Sequence, residues 1–290
     1  MEQIQKKSKF RKVLHGVYWT LCLIALLILL WGLFVEPNRL VIRRCTVAVP
    51  GLPREFEGVR AGIVADTHFG NSFIDKLRRD RIVRLFQREK PDMGFLLGDY
   101  VAVGALPHHG TLKEEKLVRF FSALKTPLGT YAVLGNHELW YGRKRMSALL
   151  EKSGVQVIEN KVIKVKNLTL AGLQDYSIAP FERKEMNRFL NEHRPHIVLT
   201  HKGEILKYAE ETPLFTVFAA DTHGGQVRIP GKYALRYLFY KRKELAPGLS
   251  EVWGRKLFVT TGAGGHRLNF RLFCPPEIAI VTFKGEIAEK

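Results

Sequence analysis

The sequence predicts an α/β protein, a four-layer α/β/β/α sandwich of two packed sheets with helices outside, preceded by one N-terminal transmembrane helix. Three observations lead there. The first half alternates short apolar strands with helical periodicity, the second half is rich in short strands, and a long charge-free run stands ahead of both. With 290 residues, 46% of them hydrophobic, the chain can bury a full core within one large domain.

From Gly16 to Val35 no residue is charged, and at about 1.5 Å per residue such a helix crosses roughly 30 Å of hydrocarbon. Trp19 and Trp31 stand near its ends as interfacial aromatics, and Lys6, Lys7, Lys9, Arg11 and Lys12 precede it. A cleaved signal peptide is the alternative, but the run exceeds the usual apolar core of roughly 7–15 residues and no small-x-small site follows. Arg39, Arg43, Arg44 and Arg54 nearly balance the five basic residues before the helix. The small excess on the N-terminal side points to a cell-membrane protein with its folded domain on the exported side. The expected organisation is a basic tail over 1–16, the membrane helix over 17–35, a juxtamembrane linker and first strand over 36–55, and the folded domain over 56–290.

Pro37 ends the helix, and Cys45 to Val49 alternates like a strand closed by Pro50-Gly51. Strands are then expected at Val59–Ala65, Met93–Leu97 and Tyr131–Leu134, with helices at Ile74–Lys90, Lys113–Leu124 and Arg143–Lys152, the last stopped by Gly154. Seven further runs read as strands: Val155–Ile158, Val162–Val165, Leu168–Leu173, His196–Thr200, Leu214–Ala219, Leu257–Thr260 and Ile278–Phe283. Helices at about Glu182–Glu192 and Glu204–Glu211 interrupt them. Val101 to Thr111, with His108 and His109, reads as a surface loop.

Lys and Arg number 46 against 28 Asp and Glu, a formal charge of +18. That excess suits an anionic partner: a phosphorylated substrate, a nucleic acid or an acidic membrane surface. Cys22, Cys45 and Cys274 form no C-x-x-C pair, which argues against a disulfide framework and a thiolate zinc site. A Cys45–Cys274 bridge stays open for an exported chain.

Five polar clusters close apolar runs: Asp66-Thr67-His68, Gly98-Asp99, Gly135-Asn136-His137-Glu138, Thr200-His201 and Asp221-Thr222-His223. Singly each has a plain reading, with Asp66 capping a helix, Asp99 starting a turn or His201 satisfied in a core. Together, at strand ends, they gather carboxylates, imidazoles and one carboxamide, the donors of a divalent-metal site.

In this order the clusters resemble the calcineurin-like metallophosphoesterase superfamily, with its motifs D-x-H, G-D, G-N-H-[DE], H and G-H-x-H, from Ala65 to about Gly225. Gly224 to Arg228 and Arg271 to Glu277 are similar to a membrane-anchored bacterial branch whose relatives include lipid-linked pyrophosphatases. The resemblance implies the sandwich of that family and two divalent metal ions. Asp66, His68 and His223 would ligate one ion, Asp99 would bridge, and Asn136 and His201 would ligate the second. His137 would bind a phosphate oxygen and protonate the leaving group. A pair of cations roughly 3.5–4 Å apart lowers the pKa of a shared water and clamps phosphate oxygens, which supplies a hydroxide for in-line attack.

Asp221 stands where the family places its remaining histidine. A carboxylate there keeps a donor but adds negative charge, which favours Mn or Fe while leaving Zn as an option. The rival reading is that Asp221 does not reach the metal and the second position is loose or empty. His201-Lys202-Gly203-Glu204 also departs from the branch's usual His-Asn-Pro-Asp. Lys202 either meets a phosphate or stays solvated, and Glu138 either orients its loop or caps the next turn. Arg271 either contacts phosphate or pairs with Glu277. The basic and aromatic residues from Lys232 to Lys243 suit an anionic headgroup or, equally, a packed amphipathic helix.

The expected function is therefore a membrane-anchored metal-dependent phosphoesterase acting on a phosphomonoester, phosphodiester or pyrophosphate. A lipid-linked nucleotide or sugar phosphate is the candidate substrate and membrane lipid the expected surroundings. The anchor argues against nucleic acid, and no feature speaks to oligomeric state. The alternative is a degenerate binding protein for anionic lipid or a protein partner.

Overall fold

The computed structural model describes residues 2–70, 73–102, 113–175, 183–209, 212–229, 245–265 and 269–286. His108, His109 and the Lys232–Lys243 segment lie outside them.

Helix α1 (Glu2–Leu30) runs back through the expected basic tail, then continues as a π-helical turn (Trp31–Val35) and a 3-10 turn (Glu36–Asn38). The stretch from Lys9 to Asn38 is long and apolar enough to cross a membrane. From Phe10 to Trp31 its side chains are exposed apart from half-buried Cys22, and burial against the rest of the chain begins at Gly32.

The first sheet has the order β1-β12-β2-β3-β4-β5, with β1 at Val41–Val49, β2 at Arg60–Val64, β3 at Met93–Leu97, β4 at Thr130–Val133, β5 at Gln156–Val157 and β12 at Glu277–Gly285. Strands β2 to β5 are parallel, and β12 enters antiparallel to β2. The second sheet has the order β10-β11-β9-β8-β7-β6, from β6 (Lys161–Val165), β7 (Leu168–Leu173), β8 (Ile197–Thr200), β9 (Thr216–Ala219), β10 (Gly248–Val252) and β11 (Arg255–Val259). Its β7, β8, β9 and β11 are parallel, while edge strands β6 and β10 pair antiparallel. Parallel strands covered on both faces are largely apolar, which is why Met93–Leu97 reads as a polar-free run and Leu168–Leu173 is broken only by Thr169.

Between the sheets, Phe95 meets Phe218 with ring centroids 5.4 Å apart, and Phe258 and Phe283 pack on Phe218 at 6.0 and 6.1 Å. Such tilted aromatic pairs add to the area they bury. Helices α2 (Phe73–Glu89), α3 (Glu114–Ser122) and α5 (Arg143–Lys152) cover the outer face of the first sheet, and α6 (Arg183–His193) covers the second. The α/β/β/α sandwich is thus observed.

Three local expectations change. Gly203–Tyr208 is a 3-10 helix where an α-helix over Glu204–Glu211 was expected. So short a connection, pinned to the core by Ile205, Leu206 and Ala209, makes few α-helical bonds for its nucleation cost. Strand β1 starts at Val41, ahead of Cys45, because it pairs in register with β12 along its length, with Arg43 bonded to Glu277 at 2.6 Å and Arg44 to Glu89 at 2.5 Å. Cys22, Cys45 and Cys274 are free thiols, so the Cys45–Cys274 bridge does not form.

Candidate metal centre

All five clusters stand at the C-terminal ends of parallel strands. Asp66 and His68 follow β2, Asp99 follows β3, Asn136 and His137 follow β4, His201 follows β8, and Asp221 and His223 follow β9. The first three come from one sheet and the last two from the other, so the site lies where the two sheets' strand ends meet.

The backbone there is strained. Asp66, His68, Asp99, Asp221 and His223 all have left-handed φ, between 43° and 67°. For non-glycine residues such conformations cost on the order of 1–3 kcal/mol each and persist only where the surroundings enforce them. Gly98 has φ +90°, and a Cβ there would fall 2.4 Å from Gly135 N, while one on Gly135 would fall 2.1 Å from Asp99 Oδ1. The Gly-Asp and Gly-Asn-His motifs need glycine because their two loops touch backbone to backbone.

The donors converge. Asp66, His68 and His223 place one ligand atom each within 4.8 Å of one another, and Asp66, Asp99 and His201 do the same. His68 Nε2 lies 3.0 Å from His223 Nε2, a separation that needs a proton or a cation between the nitrogens. His201 Nε2 stands 3.4 Å from Asp99 Oδ2 and 3.5 Å from Asp221 Oδ1. Its Nδ1–H donates to the Leu97 carbonyl at 2.7 Å, which fixes the tautomer and turns the Nε2 lone pair inward.

A metal fits this donor set. Asp66 Oδ2, Asn136 Oδ1 and His201 Nε2 are buried without a hydrogen bond, which is costly unless a cation satisfies them, and the three belong to one cluster of metal-type donors. Electrostatics agree. Burial, reinforced by the charges of Asp99 and Asp221, drives the Asp66 carboxyl well above its usual range. Burial opposes a charged His201, yet Asp99 and Asp221 outweigh it and hold that imidazole well above its usual pKa. Asp99 goes the other way: despite burial, His201, His68 and His137 depress its pKa. Protons and cations compete for these donors.

Asp221 is the outer member. It belongs to none of the compact donor groups found among the described residues, its side chain is 24% exposed, and its N–H donates to Asp66 Oδ1 at 3.4 Å. Burial disfavours its charge, but His201 and then Lys202 lower its pKa. Lys202 Nζ lies 3.9 Å from Asp221 Oδ1 and 3.4 Å from Asp175 Oδ2, so its ammonium is turned to two carboxylates of the chain.

His137 stands over Asp99. Its ring lies 4.4 Å from that of His68, its Nε2 3.8 Å from Asp99 Oδ2, and its Nδ1–H donates to Val101 O at 3.2 Å. Those distances also group it with His68 and Asp99 as donors. Glu138, fully buried, orients the loops: its carboxylate accepts from the N–H groups of Asp99, Tyr100 and Gly135 at 2.9, 2.8 and 2.8 Å. Burial, then the charge of Asp99, pushes its pKa up to about 7.

Arg271 departs from both sequence readings. It is fully buried, with its guanidinium donating to Cys274 O, Thr261 O and Gly264 O at 2.7–3.0 Å. Nη2 stands 3.5 Å from His223 Nδ1. It therefore lies behind His223, with its donors turned to backbone carbonyls, and Glu277 is taken by Arg43, Thr260 and Thr261. Tyr100, whose hydroxyl donates to Val133 O at 2.7 Å, was missed as part of the scaffold. Its place directly after Gly98-Asp99 was the available signal.

Fold and donor set together define a class: an α/β sandwich that gathers carboxylates and imidazoles for divalent metal at the strand ends of two sheets. The chain belongs to the calcineurin-like phosphoesterase family, whose pattern matches residues 59–225. It is 30% identical over 274 residues to an uncharacterized metallophosphoesterase of Aquifex aeolicus (strain VF5), across 87% of this chain and 95% of that protein. It is 24% identical over 308 residues to the UDP-2,3-diacylglucosamine pyrophosphatase LpxG of Chlamydia muridarum, across 87% and 92%. With the phosphodiesterase YaeI of Escherichia coli (strain K12) it shares 25% identity over 228 residues, across 75% and 79%. The protein is a metal-dependent phosphate ester hydrolase.

Proposed function

We propose that the protein is a membrane-anchored phosphoesterase that uses two divalent ions to cleave a phosphate ester or pyrophosphate bond of a lipid-linked substrate. The observation that carries the reading is the convergence of strand-end donors from both sheets, three of them with a buried ligand atom that makes no hydrogen bond. Asp66, His68 and His223 would hold one ion, Asn136, His201 and Asp221 the second, and Asp99 would be shared. When bound, such ions supply Lewis acidity toward phosphate oxygens and lower the pKa of water. Oxygen donors from Asp99, Asn136 and Asp221 favour Mn or Fe at the second position.

The protein's own groups do the rest. His137, anchored through Nδ1 at the Val101 carbonyl, presents Nε2 for proton transfer to the departing oxygen. Lys202 sits beside Asp221 and offsets the carboxylate that replaces the family's imidazole. The α1 helix, with the diacylglucosamine pyrophosphatase name of the Chlamydia relative, supports a substrate held at the bilayer. The position of Asp221 outside the compact donor groups is what favours the rival, a metal-poor binding protein.

Detergent-solubilised full chain, loaded with Mn(II), is assayed against nucleotide-linked diacyl lipids, free nucleotides and glycerophosphodiesters. The proposal expects fastest turnover on a nucleotide-linked lipid. Turnover confined to the free nucleotides would remove the lipid from it, and no turnover on any of the three would favour the binding protein.

A further inference from the structure

The end of α1 is docked on the folded domain, and no long tether separates the two. Gly32 is buried between exposed Trp31 and half-buried Leu33. Its carbonyl accepts from Arg271 N at 2.9 Å, and a Cβ at Gly32 would fall 2.3 Å from the Phe270 ring. Helix and domain touch there with no room for a side chain. Glu36, 2% exposed, accepts from Trp31 Nε1 at 2.7 Å and closes the turn. Beyond it, Arg81 of α2 donates to Asn38 O at 2.7 Å, and β1 begins at Val41.

The docking point adjoins the metal centre. Arg271, whose backbone holds Gly32, is the residue whose guanidinium lies 3.5 Å from His223 Nδ1. One arginine therefore separates the helix end from a proposed metal ligand. Near the same site, large apolar side chains face solvent. Leu139 and Trp140, on α4 (His137–Tyr141) two and three residues past His137, are 50% and 60% exposed, and Phe273, two residues past Arg271, is 54% exposed.

We propose that the docked helix holds the rim of the metal centre at the membrane surface, with Leu139, Trp140 and Phe273 seated in the lipid head-group layer. The inference rests on reading α1 as membrane-spanning. Exposed aromatic and aliphatic groups next to a site mark a binding surface, and tryptophan favours the head-group region. The occupant is the bilayer in which α1 itself stands, since Phe273 lies two residues past Arg271, whose N–H holds the end of that helix at the Gly32 carbonyl. The site then selects amphiphiles whose ester or pyrophosphate phosphorus rests at head-group depth, and water-soluble phosphates reach it without that concentration advantage.

The test uses full chain in phosphatidylcholine–phosphatidylglycerol nanodiscs, with p-benzoylphenylalanine replacing Trp140, Phe273 or, as a distant control, Leu214, which is 62% exposed ahead of β9 at the opposite end of its sheet. Irradiation should attach lipid at positions 140 and 273 and leave 214 unmodified. Gly32→Leu should weaken the adduct at 140, and Leu139→Ser with Trp140→Ser, both on exposed positions, should lower the ratio of turnover on a bilayer-embedded substrate to that on a soluble aryl phosphodiester by about tenfold. A retained, active chain with no lipid adduct at 140, or with equal adduct at 214, would overturn the inference and leave the proposed function standing. Release of the chain by alkaline carbonate would overturn the anchor reading and the inference with it. Lipid adducts on a chain inactive toward every phosphate ester would uphold the docking and sink the proposed function.

Discussion

Replacing Glu138 by alanine takes one buried carboxylate away from three backbone N–H groups at once, those of Asp99, Tyr100 and Gly135. Each buried donor left unpaired costs on the order of 1–3 kcal/mol, and with water reaching part of the vacated space the sum is about 3–5 kcal/mol. The loss falls on the loops that carry Asp99 and Asn136, so metal retention should fall together with stability. Glu138→Gln keeps the volume and one acceptor oxygen but turns an NH2 group toward the remaining donor, for about 1–2 kcal/mol. Thermal melting and metal analysis of both variants measure this directly. An alanine variant that melts within about 0.5 kcal/mol of the parent and retains its metal would refute the reasoning.

If Asp221 ligates the second ion, Asp221→Ala should lose part of the metal content while Asp221→His retains it, as read by elemental analysis; full occupancy in the alanine variant would remove Asp221 from the ligand set. His137→Ala should slow esters with poor leaving groups far more than activated aryl esters while metal stays bound, and equal losses would count against proton donation. A third expectation concerns pH. Glu138, Asp66 and His201 all have raised pKa values in the metal-free fold, so each contributes stability that is present below its unfolded pKa and lost as pH rises through its folded value. For Glu138 that window runs from its ordinary 4.5 to about 7. Chelated protein should therefore melt higher at pH 5 than at pH 8, and metal loading, which displaces the protons, should reverse the order.

Much of this was legible because burial on both faces favours largely apolar runs. Met93–Leu97 and Leu168–Leu173 announce themselves as strands, and the polar clusters that close such runs fall at strand ends. Strand β10 was hidden because an edge strand carrying glycine, serine and glutamate has no such signature. The start of β1 was hidden by Arg43 and Arg44, whose partners Glu277 and Glu89 are 234 and 45 residues away. Arg271 shows the same limit within the site. A lone arginine in sequence reads as a phosphate ligand, and only the fold reveals that backbone carbonyls enclose its guanidinium behind His223. Likewise, the sequence marked Asp221 as a departure but could not show Lys202 beside it, because that pairing depends on the turn after β8.

The most direct test is metal stoichiometry measured beside turnover. Full chain purified without chelator, analysed for bound divalent ions and assayed on a soluble aryl phosphodiester, should carry two ions, lose turnover when chelated and regain it with Mn(II). Undiminished turnover after complete chelation, or fewer than two ions and no turnover at saturating Mn(II), would contradict the account.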